Sequence, residues 1–380
     1  MTLADLVRFL VGLALLVWGA ERLVRGSSSL ARRLGVRPLV IGLTVVAFGT
    51  SSPELAVSLG SGVAGRPEIA LGNVVGSNIF NVLLILGVSA TITPLVVSAR
   101  LVRFDVPVMI GVSALTLLLA LDGRIGPTDG AFLLSIGAAY FYLLYRTARR
   151  SAVTTGQWPA YQPATDAGTP GRPERRPAPF GDIVAVVLGI AFLVLGAHWL
   201  LQGAVAIATA MGVSPLIIGL TVVAAGTSLP ELATSIAASA RRERDIAVGN
   251  VVGSNVFNLL IVLGLAAVLS GGLDVERETL QLDLPVMLAV AVACLPVFFT
   301  GSRIGRWEGV LFLAYYAAYV TFVALESLAP AVAPAFRNVM LGLVVPLTAV
   351  TLGVIAWRQW YGARRPQRNE EDEDEAAGGS

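Results

Sequence analysis

The sequence predicts an all-α membrane protein built from two inverted five-helix repeats, with one additional C-terminal transmembrane helix. Three observations lead to this fold class. The 380-residue chain is 55% apolar and only 14% charged, whereas soluble domains average about 25% charged residues. A stretch of 47 residues occurs twice, at 41–87 and 218–264, with 29 identical positions and no gap. Finally, the loops that are rich in arginine around the first copy are poor in arginine around the second, and the reverse also holds, as expected when the second copy is inverted.

The individual helices are predicted from apolar runs of about 20 residues, the length that crosses a bilayer. Eleven runs qualify, and we number them span 1 to span 11 in chain order. The first five and the next five are copies of each other, and span 11 has no counterpart. The spans lie near residues 5–24, 38–61, 68–92, 104–121, 129–146, 181–202, 214–238, 245–269, 283–300, 307–326 and 335–358.

The domain boundaries follow from these spans and from the composition between them. The segment between the repeats is rich in Pro, Gly, Thr and Arg, which is typical of a linker. The last residues include the run EEDEDE, which indicates a solvated acidic tail. We therefore predict a first five-helix repeat at 1–146, a cytoplasmic linker at 147–180, a second, inverted five-helix repeat at 181–326, an extra transmembrane helix at 327–360 and a cytoplasmic acidic tail at 361–380.

Arginine placement predicts the orientation in the membrane. Five arginines follow span 1 and none follows span 6, whereas one follows span 2 and three follow span 7. Because arginine-rich loops stay in the cytoplasm, we expect the N-terminus outside and the C-terminus inside. Inverted repeats with broken helices are the architecture of secondary transporters.

Each copy of the duplicated stretch carries a glutamate at mid-membrane depth. Glu54 in span 2 and Glu231 in span 7 each follow the pattern Gly-Thr-Ser-x-Pro. The proline removes a backbone N–H, so the helix should break and free carbonyl oxygens. A charge at the bilayer centre costs roughly 2.5–3.5 kcal/mol, so two matched glutamates indicate a functional site. Carboxylates, hydroxyls and carbonyls together form the all-oxygen environment that hard cations such as Na⁺ and Ca²⁺ prefer.

Spans 3 and 8 add a second pair of polar motifs, the nearly identical runs at 72–81 and 249–258. Ser77 and Asn81 are four residues apart and share a helix face, and Ser254 and Asn258 do the same. We interpret the other asparagines of these runs chiefly as residues that tie neighbouring helices together.

These motifs resemble the two α-repeats of the prokaryotic sodium/calcium exchangers, within the cation/calcium antiporter superfamily. The resemblance rests on GTSSPEL with GNVVGSNIFN and on GTSLPEL with GNVVGSNVFN, and it covers about residues 1–326. It implies a ten-helix core that exchanges Na⁺ for Ca²⁺ by alternating access, with ions between spans 2, 3, 7 and 8. It also implies that spans 1 and 6 form the moving helix pair. The cation ligands that it implies are Glu54, Glu231, Thr50, Ser51, Thr227, Ser228, Ser77, Ser254, Asn81 and the backbone carbonyls of Ala47 and Ala224.

One position departs from the family pattern. Exchangers often carry an acidic residue where this chain has Asn258, the second-repeat partner of Asn81. We include Asn258 among the expected cation ligands, so the predicted site has two carboxylates and two carboxamides. The coupling stoichiometry is therefore left open by the sequence.

Other functions stay open as alternatives. Carboxylates also bind protons, so an H⁺/Ca²⁺ exchanger or a K⁺-dependent Na⁺/Ca²⁺ exchanger fits the same motifs, and a cation channel is a further alternative. An enzyme is disfavoured because no Cys or His stands near the motifs, and the single cysteine excludes an internal disulfide. We expect no cofactor, the transported ions Ca²⁺ and Na⁺, and inorganic cations and membrane lipid as partners. A net charge of +2 gives no indication of nucleic acid, and the oligomeric state is left open.

Overall fold

The architecture is that of a helical membrane protein. The structure is a computed structural model that describes residues 2–153, 180–211, 224–299, 303–329, 331–340 and 353. Within these residues the chain is helical apart from short turns and four two-residue strands. The predicted all-α class is thereby confirmed. Three predicted segments lie wholly or mostly outside the described residues: the linker, the extra C-terminal helix and the acidic tail. The predicted domain boundaries stay predictions.

The first repeat alternates regular helices with wider, π-helical turns. Its π-helical turns are Gly42–Val46, Asn81–Leu86 and Leu101–Asp105, and a 3₁₀ turn spans Ala120–Asp122. Its α-helices are α1 (Leu3–Leu34), α2 (Pro38–Ile41), α3 (Ala47–Thr50), α4 (Ser52–Val63), α5 (Pro67–Phe80), α6 (Gly87–Ile92), α7 (Val106–Leu119) and α8 (Pro127–Val153).

The second repeat follows the same plan. Its π-helical turns are Asn258–Val262 and Thr279–Asp283, which match those at Asn81–Leu86 and Leu101–Asp105 in the first repeat. Its α-helices are α9 (Phe180–Ala210), α10 (Ala224–Gly226), α11 (Leu229–Ala240), α12 (Arg244–Phe257), α13 (Leu263–Leu269), α14 (Leu284–Phe299) and α15 (Arg306–Leu328), and α16 (Ala333–Val339) follows the repeat.

Seven continuous helical segments in the described part of the chain are long and apolar enough to cross a membrane. They are Leu3–Leu34, Pro67–Ile92, Leu101–Asp122, Phe180–Ala210, Arg244–Leu269, Thr279–Val297 and Arg306–Glu326. An eighth span is broken, because Pro38–Thr50 and Ser52–Val63 meet at an angle of 47°. The protein is thus a multi-pass integral membrane protein, and the count of ten core helices stays a prediction.

Helix α1 is longer than the sequence analysis predicts. It begins with a capping box between Thr2 and Asp5 and ends at Gly35, which adopts a left-handed conformation with φ 64°. The predicted span ended near residue 24, where the apolar run gives way to arginines and serines. These polar residues stay helical because they find partners on the second repeat. The Ser28 hydroxyl, for example, donates to a Glu243 carboxylate oxygen at 2.6 Å.

The helix break predicted in span 2 is confirmed. Ser51 separates α3 from α4 with φ −82° and ψ 9°, outside the helical conformation. Pro53 has no N–H to offer the carbonyl four residues before it. The hydroxyl of Ser52 donates to the neighbouring carbonyl of Phe48 at 3.0 Å, which satisfies one of the groups exposed at the bend. Ser228 has nearly the same dihedral angles, φ −87° and ψ 8°, before α11.

The packing of α1 against α9 shows directly that the repeats are inverted. These two helices are copies of each other by sequence, yet they run antiparallel. A Cβ built on Gly12 would lie 2.9 Å from the carbonyl oxygen of Gly196, and one built on Gly19 would lie 2.8 Å from that of Gly189. Contacts thus move backwards along α9 as they move forwards along α1. Only a copy that enters the membrane from the opposite side packs in this way.

Two small antiparallel strand pairs repeat the same two-fold relation. Strand β1 (Leu95–Val96) pairs with β4 (Arg303–Ile304), and β2 (Arg124–Ile125) pairs with β3 (Leu273–Asp274). By the repeat offset, β1 corresponds to β3 and β2 to β4, so each pair joins a loop of the first repeat to a non-equivalent loop of the second, and the two-fold relation exchanges the two pairs. The two strand pairs connect the two repeats at both ends of the molecule.

The centre of the molecule is formed by spans 3 and 8. In the most apolar part of each span, 72% of Pro67–Ile92 and 83% of Arg244–Leu269 is buried, against 22% of Leu3–Leu34. The outer helices expose large apolar side chains such as Val17 and Leu118, as expected for surfaces that face lipid. Polar groups buried on spans 3 and 8 must therefore find their partners inside the protein.

Candidate functional site

The two glutamates lie at matched positions just after the two helix breaks. Glu54 is in the first turn of α4 and Glu231 in the first turn of α11. Both side chains are fully buried, with 0% exposure. The N-terminal end of a helix has unpaired backbone N–H groups, so it is a favourable place for a carboxylate. The breaks thus create the local environment in which these buried acids stand.

Each carboxylate is held through one of its two oxygens by serines of both repeats. The Ser228 hydroxyl donates to Glu54 Oε1 at 2.8 Å, and the Ser77 hydroxyl lies 3.5 Å from the same oxygen. The two serine oxygens are 3.0 Å apart. In the symmetric arrangement, Glu231 Oε1 accepts from Ser51 at 2.8 Å and lies 3.5 Å from Ser254 Oγ. Neither half of the site is complete without the other repeat.

Four acceptor oxygens at this centre have no hydrogen-bond donor among the described residues. They are Oε2 of Glu54, Oε2 of Glu231, Oδ1 of Asn81 and Oδ1 of Asn258. Buried polar atoms in folded proteins nearly always have a partner, because leaving one unpaired costs free energy. All four atoms can accept and none can donate when the glutamates are ionised. A set of acceptors of this kind has the chemistry of cation ligands.

Two asparagines that the sequence analysis assigned to helix packing brace this centre. Asn73 donates to the Glu54 carbonyl at 3.3 Å and to Ser58 Oγ at 2.9 Å, and it accepts from Thr227 Oγ1 at 3.1 Å. Asn250 repeats these contacts exactly one repeat later. It donates to the Glu231 carbonyl at 3.3 Å and to Ser235 Oγ at 3.0 Å, and it accepts from Thr50 Oγ1 at 3.1 Å.

The threonines are consequently oriented by the opposite repeat. Because the hydroxyl hydrogen of Thr50 or Thr227 is given to an asparagine, the lone pairs of its oxygen remain available as acceptors. A hydroxyl in this state can coordinate a cation. Asn73 thus holds both the Glu54 carbonyl and the Thr227 hydroxyl. Asn250 does the same for the Glu231 carbonyl and the Thr50 hydroxyl.

Asn81 and Asn258 each begin a π-helical turn. Such turns insert one extra residue into a helix and are frequent at functional sites. Both side chains are fully buried, and each donates its amide nitrogen to another asparagine of the opposite repeat. Their carboxamide oxygens are the ones left without a donor. Within the site these residues supply neutral oxygen, where an aspartate would supply charge.

The remaining predicted ligands are less closely joined to the glutamates. The Ala47 carbonyl accepts the backbone N–H of Ser51 at 2.9 Å and lies 3.4 Å from Thr50 Oγ1, so it takes part in the last turn before the break. Ala224 is the first residue of α10, and its side chain lies outside the described residues. The expectation that both carbonyls bind ions stays a prediction.

The oxygen atoms at the centre are of the chemical types that hard cations take as ligands. They belong to two carboxylates, to serine and threonine hydroxyls and to two carboxamides, all oxygen ligands of the kind that Na⁺ and Ca²⁺ prefer. Across the described residues, no group of three or more His, Cys, Asp or Glu side chains forms a conventional metal cluster. With both glutamates ionised, the centre carries two negative charges in a buried environment.

Two further residues at this centre were not found by the sequence analysis. Met109 and Met287, from spans 4 and 9, contact the side chains of Asn255 and Asn78. Their residue type does not distinguish them, because a methionine in an apolar run is most simply interpreted as core packing. Their only signal is that both follow an Asp-x-Pro-Val motif, at 105–109 and 283–287.

Comparison with known proteins gives two matches to one family model. The model described as "Sodium/calcium exchanger protein" matches residues 5–146 and again residues 182–325. Each match covers one of the two repeats, and together they span most of the chain. The duplication seen in the sequence is therefore the duplication of this family.

Two named relatives align with this chain over nearly their whole length. The sodium/calcium exchanger MaX1 of Methanosarcina acetivorans is 32% identical over 336 residues, which is 82% of this chain and 96% of that protein. The inner membrane protein YrbG of Escherichia coli is 37% identical over 318 residues, 83% of this chain and 95% of that protein.

Solved structures agree with the sequence matches. A structure of the sodium–calcium exchanger NCX_Mj, soaked with Na⁺ and Sr²⁺, superimposes with a TM-score of 0.69 at 31% identity. The alignment covers 86% of this chain and 99% of that chain. At this level of similarity the helical arrangement with inverted repeats is shared.

Proposed function

This chain belongs to the sodium/calcium exchanger protein family, a family of cation/calcium antiporters, and from that premise we propose that it exchanges Na⁺ for Ca²⁺ across a prokaryotic cell membrane. The exchange proceeds by alternating access at the site centred on Glu54 and Glu231. The ligands are the twelve residues predicted from the sequence, including Asn258. The family is one of transporters rather than of catalytic enzymes, and the proposed cargo consists of Ca²⁺ and Na⁺.

The observation that carries this proposal is the set of four buried acceptor oxygens without a donor. They come from both repeats, they lie on the two broken spans and on the two most buried spans, and two of them belong to carboxyl groups. One Ca²⁺ or two Na⁺ would neutralise the two negative charges. Both ions accept oxygen ligands, so the same atoms serve either ion in turn.

The charge of the site explains why exchange is coupled. An empty site carries two negative charges, and moving it past an apolar barrier is costly because neither charge is compensated. A loaded site is close to neutral, so the barrier to reorientation falls. The carrier then reorients when an ion is bound and stalls when none is. The moving element in this proposal is the helix pair α1 and α9, which contact each other closely and run antiparallel.

The test uses purified protein in liposomes loaded with Na⁺ and diluted into medium with radioactive Ca²⁺. We expect saturable Ca²⁺ uptake by the native protein. Glu54→Gln and Glu231→Gln keep the size of the side chain and remove one charge, so each should reduce uptake to the level of protein-free liposomes. Glu68→Gln is the matched control, because Glu68 is an exposed residue of the same duplicated stretch. Uptake like that of the native protein in either site variant would disprove the site.

The same assay separates the alternatives. Replacing internal Na⁺ with choline should abolish uptake, whereas uptake that then follows an imposed pH gradient would identify an H⁺/Ca²⁺ exchanger. A requirement for K⁺ on the Na⁺ side would identify a K⁺-dependent exchanger. Flux that needs no counter-ion and does not saturate would identify a channel.

A further inference from the structure

Two chains of hydrogen bonds run from the ion site to methionines on spans 4 and 9. In the first, Asn81 Nδ2 donates to Asn255 Oδ1 at 3.0 Å, and Asn255 Nδ2 donates to Met109 Sδ at 3.4 Å. In the second, Asn258 Nδ2 donates to Asn78 Oδ1 at 3.5 Å, and Asn78 Nδ2 donates to Met287 Sδ at 3.6 Å. Each chain therefore crosses between repeats, and the two are related by the two-fold symmetry of the molecule.

A carboxamide has two ends of almost the same shape, one that accepts hydrogen bonds and one that donates them. Packing alone distinguishes the two ends poorly, so a polar contact has to decide which way the group turns. At the proposed cation site the choice has a large effect. The oxygen of Asn81 or Asn258 is a cation ligand, whereas the NH₂ group in its place would repel the ion.

The methionine sulfur determines which end of each carboxamide faces which neighbour. A thioether has no hydrogen to donate and can only accept. Asn255 must therefore turn its nitrogen toward Met109, which turns its oxygen toward Asn81. That oxygen also only accepts, so Asn81 must present its nitrogen and leave its own oxygen on the other side. The oxygen so released is one of the four buried acceptors without a donor, and the same reasoning runs from Met287 through Asn78 to Asn258.

We propose that Met109 and Met287 are positioning residues for the ion site. Each fixes, through one intermediate asparagine, the direction of one site carboxamide, so that oxygen and not nitrogen faces the transported cation. The inference rests on the proposed function in that Asn81 and Asn258 are taken as cation ligands. All six side chains are buried, with exposures of 3% or less, so water does not compete for these weak sulfur contacts.

Simple packing is the alternative role for these methionines, and one substitution separates the two. Met109→Leu conserves volume and apolar character but removes the acceptor sulfur, and Met287→Leu does the same in the other chain. The readout is the Ca²⁺ concentration that gives half-maximal thermal stabilisation of the detergent-solubilised protein, since a bound ion raises the melting temperature. We expect each variant to need about tenfold more Ca²⁺ while keeping the ion-free melting temperature of the native protein.

Double substitutions test whether each methionine acts through its own asparagine. Met109→Leu should add no further loss of affinity in an Asn81→Ala background and should keep its full effect in an Asn258→Ala background. Met287→Leu should show the reverse pattern. A packing role predicts instead that the effects add equally in both backgrounds, and that result would overturn the inference.

Two controls complete the design. Met211→Leu makes the same substitution at a side chain that is 77% exposed, and it should leave the Ca²⁺ midpoint unchanged. Native protein produced with selenomethionine keeps an acceptor at every methionine position and should also bind as before. Because the readout is binding, failure of Na⁺-driven uptake would count against the proposed exchange alone, whereas unchanged midpoints in both leucine variants would overturn the role of the methionines.

Discussion

At the scale of single residues, the site is organised by which oxygen atoms accept hydrogen bonds and which do not. One oxygen of each glutamate accepts from serine, while the other has no hydrogen-bond donor among the described residues. The division fixes the carboxylates without occupying them, because a hydroxyl donor stabilises the ionised form. A buried carboxylate needs such support, since desolvation otherwise favours its neutral form.

Asn258 gives the sharpest prediction at this scale. Asn258→Asp adds a third carboxylate among the unpaired oxygens, so we expect the apparent Ca²⁺ affinity to rise on the order of tenfold, which corresponds to about 1.4 kcal/mol. Protons compete for carboxylates, so uptake by the variant should decline as the pH is lowered and should do so more steeply than in the native protein. Asn81→Asp is the matched comparison in the other repeat. The measurement is Ca²⁺ uptake from pH 8 to pH 5. If the pH profile of the variant equals that of the native protein, the carboxamide at 258 is interchangeable with a carboxylate and the prediction is wrong.

At the scale of helices, the α1–α9 contact is set by glycine. The backbones approach so closely at Gly12, Gly19, Gly189 and Gly196 that an added Cβ on any of them would meet the backbone of the other helix. Small residues are what permit such approach in membrane proteins, where apolar burial adds little between helices.

We therefore expect Gly19→Ala to separate the two helices and to destabilise the protein by about 1–3 kcal/mol, the usual range for overpacking. Gly111→Ala in α7 is the control, because a Cβ there has no neighbour within 4 Å among the described residues. Alanine favours helix by about 1 kcal/mol over glycine, so the control should be neutral or slightly stabilising. Equal melting temperatures for the two variants would contradict the close contact.

The helices also show where prediction from sequence succeeds and where it does not. The break at Ser51 follows from Pro53 and the inversion from arginine counts, because both depend on local chemistry. The extension of α1 to Leu34 does not follow, since its polar end is held by Glu243, more than 200 residues away. The role of Met109 is likewise invisible, because an apolar sequence does not reveal which methionine meets an asparagine. The duplication predicts that serines lie near glutamates but not that each glutamate takes one serine from each repeat.

At the scale of the whole molecule, inversion makes a prediction that symmetry-related positions can test. Val63 and Ala240 end α4 and α11, are both exposed and differ by the repeat offset. The arginine pattern predicts that they lie on opposite sides of the membrane, with Val63 outside. In a Cys294→Ala background, a membrane-impermeant thiol reagent should label Val63→Cys in intact cells and Ala240→Cys only after permeabilisation. The opposite labelling would reverse the proposed orientation, and labelling of both on one side would contradict the inversion.

The hydrogen bond between Glu54 and Ser228 has a consequence for biosynthesis. The two residues are separated by 174 positions, so at ~5–20 residues per second the ribosome needs about 9 to 35 s to reach Ser228 after Glu54 has been made. Through that interval the chain contains only Ser77 of the two serines that contact the Glu54 carboxylate in the complete protein. The speed of translation through the second repeat therefore sets how long the first glutamate lacks this hydrogen bond.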